Sequence, residues 1–364
     1  MKPRKKKNIG YFVSPHGWGH AARASAVMDA VREIDPTIRF EIFTTIPRWF
    51  FEDSLDGAVS YHPILTDIGL VQETPLRADL AATIRALDRF IPFSKSRIDP
   101  LSEELMALDC ELVMCDIAPL GIAAAREVGI PSLLVENFTW DWVYQEYWEA
   151  YDNLKPHADY LAALFSEADY HIQTEPVCSQ TAAHLTVLPV SRRPRQPGDA
   201  VRERLGIPEK AKLVLVTMGG VPEDDARLGE WPVPEGIYLV VPGTANAFKT
   251  GDRLIPLPHR SPFFHPDLMA AADGVVGKVG YSTLAEVYHG GAPFGYIKRP
   301  DFRESEILAD YIEKHMSGFA IEEAHFRNGK WLSHIHRLLE IPRIQRIGPN
   351  GADQIAEFVS DRLR

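Results

Sequence analysis

Chemistry-capable residues gather in two parts of this chain. The first is "SPHGWGH", Ser14 to His20, which sets His16 and His20 among Gly17, Gly19 and Trp18 directly after the apolar run "NIGYFV". Glycine weakens a strand or a helix, so such a run implies a need for bare backbone and imidazole together. A histidine inside a Gly-x-Gly-His turn is also not a usual core residue. The second is "GKVGYSTLAEVYHGGAP", which puts Lys278 and Gly280 at a strand end and Ser282 and Thr283 at the start of a helical pattern. Amides exposed at a helix N-terminus beside hydroxyls suit a diphosphate. Lys278 would add charge to it. Glu286, one turn into that helix on the face of Ser282, could accept two hydrogen bonds from a ribose diol. Gly219 and Gly220 in "MGG" end another strand with the same bare backbone. An acidic loop, "PDFRE", brings Arg303 and Glu304 after the next strand. Each turn alone reads equally as a tight turn with a capping serine; together they favour a nucleotide-diphosphate site.

Two further groups have open readings. Asp116 ends the strand-like "CELVMCD", on the side of a sheet where sites form. It either orients His20 as a base–orienter pair or caps the helix that follows. The segment "ENFTWDWVYQEYWEAY" offers Asn137, Trp140 and Asp141. Its aromatics suit stacking on a sugar ring, or they form core at helical spacing.

The elements that must position these groups alternate along the chain. "NIGYFV", "RFEIFTT", "VSYHPIL", "CELVMCD" and "IPSLLVEN" read as strands. "HAARASAVMDAVREI" and "APLGIAAAREVG" read as helices, and a long helical stretch is interrupted by Pro92 and Pro100. Near "LPVSRRPRQPGDA" the pattern lapses into prolines and arginines, a linker, and then the alternation restarts. The expected class is α/β, two doubly wound Rossmann-like domains facing a central cleft. The expected bounds are 1–190 for the acceptor side, 191–200 for the linker and 201–346 for the nucleotide-sugar side. A C-terminal helix over 347–364 would pack back on the first domain.

Composition narrows the function classes. A chain of 364 residues supports two cores, and 24% charged with 45% hydrophobic residues is ordinary for a globular protein. A net charge of −11 argues against nucleic-acid partners. "KPRKKK" at residues 2–7 reads as a solvated tail. Cys110, Cys115 and Cys178 lack zinc-site spacing and suggest buried thiols in a reducing compartment. No apolar run spans a membrane and no secretory signal is evident, so the cytoplasm is the expected location.

The stretch from Ala271 to about Ile312 resembles the donor-binding segment of the GT-B glycosyltransferases, among them the peptidoglycan N-acetylglucosaminyltransferase and the UDP-glycosyltransferases. That resemblance implies phosphate and ribose contacts at Gly280 and Glu286, and a sugar contact at Glu304. Lys278 stands where many relatives carry a phosphate-binding histidine, and Ser305 stands in place of a glutamine. In the same superfamily a histidine opening the first helix is the general base for the acceptor hydroxyl, and His20 matches it. "SPHGWGHAARA" with the aromatic segment also looks like the glycosyltransferase-like N-terminal domain of plant L-arabinokinases. No Gly-Leu-Ser-Ser-Ser-Ala-type phosphate loop occurs, so kinase activity is not implied. The resemblance implies a metal-independent, inverting glycosyltransferase with no cofactor. Its donor is a nucleotide-diphosphate sugar, UDP-linked by default, and its acceptor a small-molecule or glycan hydroxyl near His16, Gly17, Trp18, Gly19, Asn137, Trp140 and Asp141. No Asp-x-Asp lies in a suitable loop, and "EDDAR" reads as solvated. The competing expectation, favoured by the two replaced residues, is a non-catalytic protein that binds or senses a nucleotide sugar. An epimerase using Asp116 and Glu304 is a third.

Overall fold

The computed structural model describes residues 7–74, 76–219, 231–245 and 251–363. Gly220, the run "EDDAR" and all of the basic tail except Lys7 lie outside the described residues. The chain forms two compact units. The first comprises 1–72, 78–191 and 349–364, and the second 73–77 and 192–348.

Strands β1 (Lys7–Val13), β2 (Ile38–Phe43) and β3 (Ser60–His62) lead the first unit. A short ribbon follows, β4 (Gln72–Thr74) against β5 (Arg77–Ala78). Strands β6 (Cys110–Asp116), β7 (Ser132–Glu136), β8 (Tyr170–Thr174) and β9 (Leu185–Val187) complete the sheet, in the order β3-β2-β1-β6-β7-β8-β9. All its pairs are parallel. Ile9 and the run Tyr11–Val13 are wholly buried, as expected of a strand covered on both faces. The chain leaves β1 in one direction and returns on its other side at β6. That reversal is the topological switch point, outside whose strand ends ligands bind in open α/β sheets. The register sets Val13 opposite Asp116, and the Ser14 amide donates to the Asp116 carbonyl at 3.2 Å.

The second unit repeats the plan with β10 (Lys212–Thr217), β11 (Ile237–Ala245), β12 (Leu254–Pro258), β13 (Gly274–Lys278), β14 (Phe294–Ile297) and β15 (Gly318–Ala320). Their order is β12-β11-β10-β13-β14-β15, with the reversal between β10 and β13. Alternation along β10 divides the core. Leu213 and Leu215 pack with Leu284 and Leu308 on one face, Val214 and Val216 with Trp331 and Ile335 on the other. β10 and β13 approach closely at Thr217 and Gly277, where a Cβ on Gly277 would lie 1.9 Å from the Thr217 carbonyl oxygen.

Several boundaries differ from the sequence expectation. The helix expected from His20 starts at Trp18. Pro92 falls between two helices, Leu80–Phe90 and Lys95–Ala107, but Pro100 lies inside the second and does not end it. A helix starts at Gly198, so the last residues of the proline-rich 191–200 segment are helical. The C-terminal helix spans Gly351–Arg362, is capped by Asn350 and packs on the helix Trp18–Ile34. Among the described residues no helix is long and apolar enough to cross a membrane.

Candidate functional site

The first unit gathers its polar groups at the β1/β6 reversal. Gly17, at φ 76, turns the chain into the helix Trp18–Ile34, and the third residue of that helix is His20. Its Nδ1 lies 2.8 Å from Asp116 Oδ1. Asp116 is the last residue of β6, and the next residue, Ile117, has φ 42, a strained conformation for a β-branched side chain. Such strain persists only where the surroundings hold it, as sites commonly do.

Sequence reasoning missed the third member, Arg23. It lies on the same helix three residues after His20 and is 1% exposed. Its Nε donates to Asp116 Oδ2 and its Nη2 to Oδ1, both at 2.7 Å. Its Nη1 donates to Asn137 Oδ1 at 2.8 Å. Burial alone would raise the Asp116 carboxyl, but the Arg23 charge and hydrogen bonds, with His20, outweigh it and hold the group below the usual carboxylate range. A carboxylate only accepts, so His20 carries a proton on Nδ1 and presents the Nε2 lone pair. Arg23 Nη2 also comes within 3.4 Å of Nδ1, but the shorter contact to the charged oxygen decides the tautomer.

The acceptor-side residues divide. His16, Gly17, Trp18, Gly19 and Asp141 are half-buried; Trp18 meets Trp49 and Phe50 edge-on. Asn137 is wholly buried and spends its amide oxygen on Arg23. Trp140 is 1% exposed and packs against His16, Phe138 and Tyr144. Neither Asn137 nor Trp140 presents a face to a ligand here. The sugar-platform expectation is corrected to core for both, because apolar packing and the Arg23 network claim them. Asp67 joins the cluster from the loop after β3. Its Oδ1 accepts from the Ser14 hydroxyl at 3.0 Å. Burial pushes its carboxyl well up, the nearby Asp116 adds to this, and Ser14 and Trp140 offset it only in part. Cys110 and Cys115 are buried thiols, the first pushed up to about 12 by burial, and Cys178 is half-buried.

In the second unit Gly219 follows β10 with φ 77, and a Cβ there would lie 3.1 Å from Lys278 Nζ. The ammonium at the end of β13 therefore lies over the bare backbone after β10. Gly280 caps the helix Tyr281–Gly290, so Ser282 stands in its first turn and is not the cap. Thr283 and Glu286 are buried. Glu286 already has partners. Arg192 Nη2 donates to Oε1 at 3.0 Å, and His265 Nδ1 lies 2.8 Å from Oε2. Burial would raise this carboxyl, but the charges of Arg192 and His265 hold it low. Glu304 is buried at the start of the helix Glu304–His315, preceded by Arg303. The Ser305 hydroxyl accepts from the Arg299 amide at 2.8 Å, which closes the loop after β14. Among the described residues no group of three or more His, Cys, Asp or Glu side chains could hold a metal ion.

No protein-family model matches the chain. It is 27% identical over 359 residues to the L-arabinokinase of Arabidopsis thaliana, which covers 97% of this chain but 34% of that protein. The chain thus spans about a third of that relative's length. An uncharacterized glycosyltransferase of Methanopyrus kandleri is 24% identical over 266 residues, 70% of this chain and 76% of its own. Among solved structures, the calicheamicin glycosyltransferase CalG4 matches with a TM-score of 0.61 and 12% identity, covering 99% of this chain and 98% of its own. Medicago truncatula UGT71G1, complexed with UDP-glucose, matches with a TM-score of 0.59 and 12% identity, covering 99% and 98%.

Proposed function

We propose that this chain, which carries the GT-B fold of glycosyltransferases with two Rossmann-like units, transfers a sugar from a nucleotide-diphosphate donor to a hydroxyl acceptor without a metal and with inversion. The observation that supports it most is His20, whose Nε2 lone pair is set by Asp116 at the strand reversal of the first unit. His20 takes the acceptor's proton as that oxygen forms its bond to the anomeric carbon, and the bond to the diphosphate breaks. Such a base contributes about 10²–10⁴-fold. The donor, UDP-linked in this reading, would bind the second unit. The amides at Gly280 and the Lys278 ammonium beside Gly219 would take up the charge of the leaving diphosphate. Glu286 would turn to the ribose from its present partners, and Glu304, with Arg303 nearby, would serve the sugar. The expected units 1–190 and 201–346 would supply acceptor and donor sides from a cytoplasmic, soluble chain.

A second reading, a protein that binds a nucleotide sugar without transferring it, draws support from Glu286 and Ser305. Their polar atoms are already engaged. A thermal-shift panel of nucleotides and UDP-sugars separates the cases, because a native-state ligand at a hundredfold over its Kd adds about 2.7 kcal/mol. Transfer predicts a shift lost in Glu286→Ala, and slow UDP-sugar hydrolysis lost in His20→Ala with binding intact. A shift without His20-dependent hydrolysis supports the sensing reading. No shift with any nucleotide sinks both.

A further inference from the structure

We propose that Arg23 is a positioning residue for His20: by balancing the charge of Asp116 it keeps Nε2 of the imidazole free of a proton, and so able to take one from an acceptor hydroxyl. The proposal deepens the transferase reading and rests on His20 as its base. Arg23 stands on the same helix, Trp18–Ile34, and meets Asp116 with both arms of its fork, Nε on Oδ2 and Nη2 on Oδ1, each at 2.7 Å. Its Nη1 is anchored on Asn137 Oδ1 at 2.8 Å. His20 Nδ1 shares Asp116 Oδ1 at 2.8 Å, and Nη2 comes within 3.4 Å of Nδ1 itself. Cation, carboxylate and imidazole thus meet at one oxygen.

Burial makes that meeting consequential. Asp116 is wholly buried. The rings of Phe138 and Trp140 lie at centroid distances of 6.2 and 6.4 Å from His20, and Trp140 also meets His16 at 4.8 Å. In such surroundings charges act on one another far more strongly than in water. The titratable groups that neighbouring elements add are Tyr11 from β1, Cys115 from β6 and Asp67 from the loop after β3. Burial pushes the hydroxyl, thiol and carboxyl of these three up, and none of them supplies a positive charge to set against Asp116. Arg23 supplies it. A buried ion pair adds little net stability over apolar residues of the same size, so stability alone is a weak reason to place this one beside a base.

Without Arg23, His20 and Asp116 together hold one buried negative charge and take a proton from water. That proton has two places to go, with the same result at Nε2. On the ring it makes His20 an imidazolium, protonated on both nitrogens. On Asp116 it turns the carboxyl into a donor to Nδ1, and the ring's own proton moves to Nε2. Either way the lone pair of the base is lost. With Arg23 in place the Asp116 carboxyl is held below its usual range, and the ring proton stays on Nδ1.

Histidine-selective 15N–1H correlation spectra recorded across pH read the Nε2 proton of His20 directly. Wild type should show the Nδ1 proton alone at neutral pH. Arg23→Gln leaves Asp116 an amide donor but no charge, and should keep a proton on Nε2 to a pH at least about one unit higher than wild type does. Arg23→Lys restores the charge and should return to within about half a unit of wild type. A proton on Nε2 of wild type at neutral pH, no shift in Arg23→Gln, or a Lys variant that follows the Gln variant overturns the proposal. If Arg23→Gln does not fold, the same substitution is made in an Asp116→Asn background, where the pair of changes buries no charge. There it should again shift the Nε2 proton upward by about one unit relative to Asp116→Asn alone, and no shift overturns the proposal. Hydrolysis of UDP-sugar reads the base separately. An Nε2 proton that answers to Arg23 in a protein without His20-dependent hydrolysis sinks the transferase reading and leaves the charge balance standing.

Discussion

Each unit buries one carboxylate between an arginine and a histidine, and the two arrangements differ where it matters. In the first, Arg23 grips Asp116 side-on with two bonds of 2.7 Å, and His20 shares an oxygen already taken. In the second, Arg192 makes contacts of 3.0 and 3.3 Å to one Glu286 oxygen, and His265 holds the other alone. The Arg23 and His20 side chains are 1% and 10% exposed, those of Arg192 and His265 10% and 27%. Both oxygens of the first carboxylate are engaged at 2.7–2.8 Å, and its histidine spends Nδ1 on it. The second is held by groups that water reaches, so a ligand diol could replace one of them at modest cost. Similar residue types thus make a tightly held carboxylate in one unit and a more loosely held one in the other.

Removing the arginines tests that contrast most severely. Arg23→Met leaves Asp116 buried and uncompensated, and should lower unfolding free energy in urea by about 3–5 kcal/mol. It should also raise the pH at which acid unfolds the protein. A carboxyl held low in the native state contributes stability that is present above about pH 4 and lost as pH falls through its native value. Arg192→Met should cost less, on the order of 1–2 kcal/mol, because Arg192 is more exposed than Arg23 and His265 stays on Glu286. Equal costs would erase the distinction between the two trios. The smallest effect is expected at Asp67, which has the opposite sign. Its carboxyl is held high, so the stability it adds is full below about pH 4 and declines as pH rises towards its native value. Asp67→Asn keeps an oxygen for Ser14 and removes that decline. It should gain on the order of 1 kcal/mol at pH 8 relative to its effect at pH 4, read from melting curves at both.

What the sequence shows of this site follows from how local each contact is. His20 and Asp116 are legible because one opens the helix after a recognisable strand and the other ends one, where doubly wound sheets gather function. Arg23 is hidden because arginine in a helical pattern reads as a solvent-facing residue. The signal was its neighbours: between Ala21 and Met28 the helix offers it almost only small or apolar company, which a polar face would not. Arg192 and His265 are harder still. One comes from a proline-rich segment read as a linker, and the other from a helix start 21 residues before Glu286. Trp140 shows the converse, since aromatic spacing alone cannot say whether a ring faces sugar or core.

The helix Gly351–Arg362 has a consequence for how the protein is made. It packs on the helix that carries His20, and Asn350 clasps Ser191 through its side-chain amide, accepting at 3.2 Å and donating at 2.8 Å. Ribosomes deliver chains from the N-terminus, and domains commonly close as they emerge. Here the unit begun first cannot close first. It must wait, with one flank of the helix Trp18–Ile34 bare, while residues 192–348 of the second unit are synthesised ahead of its last segment.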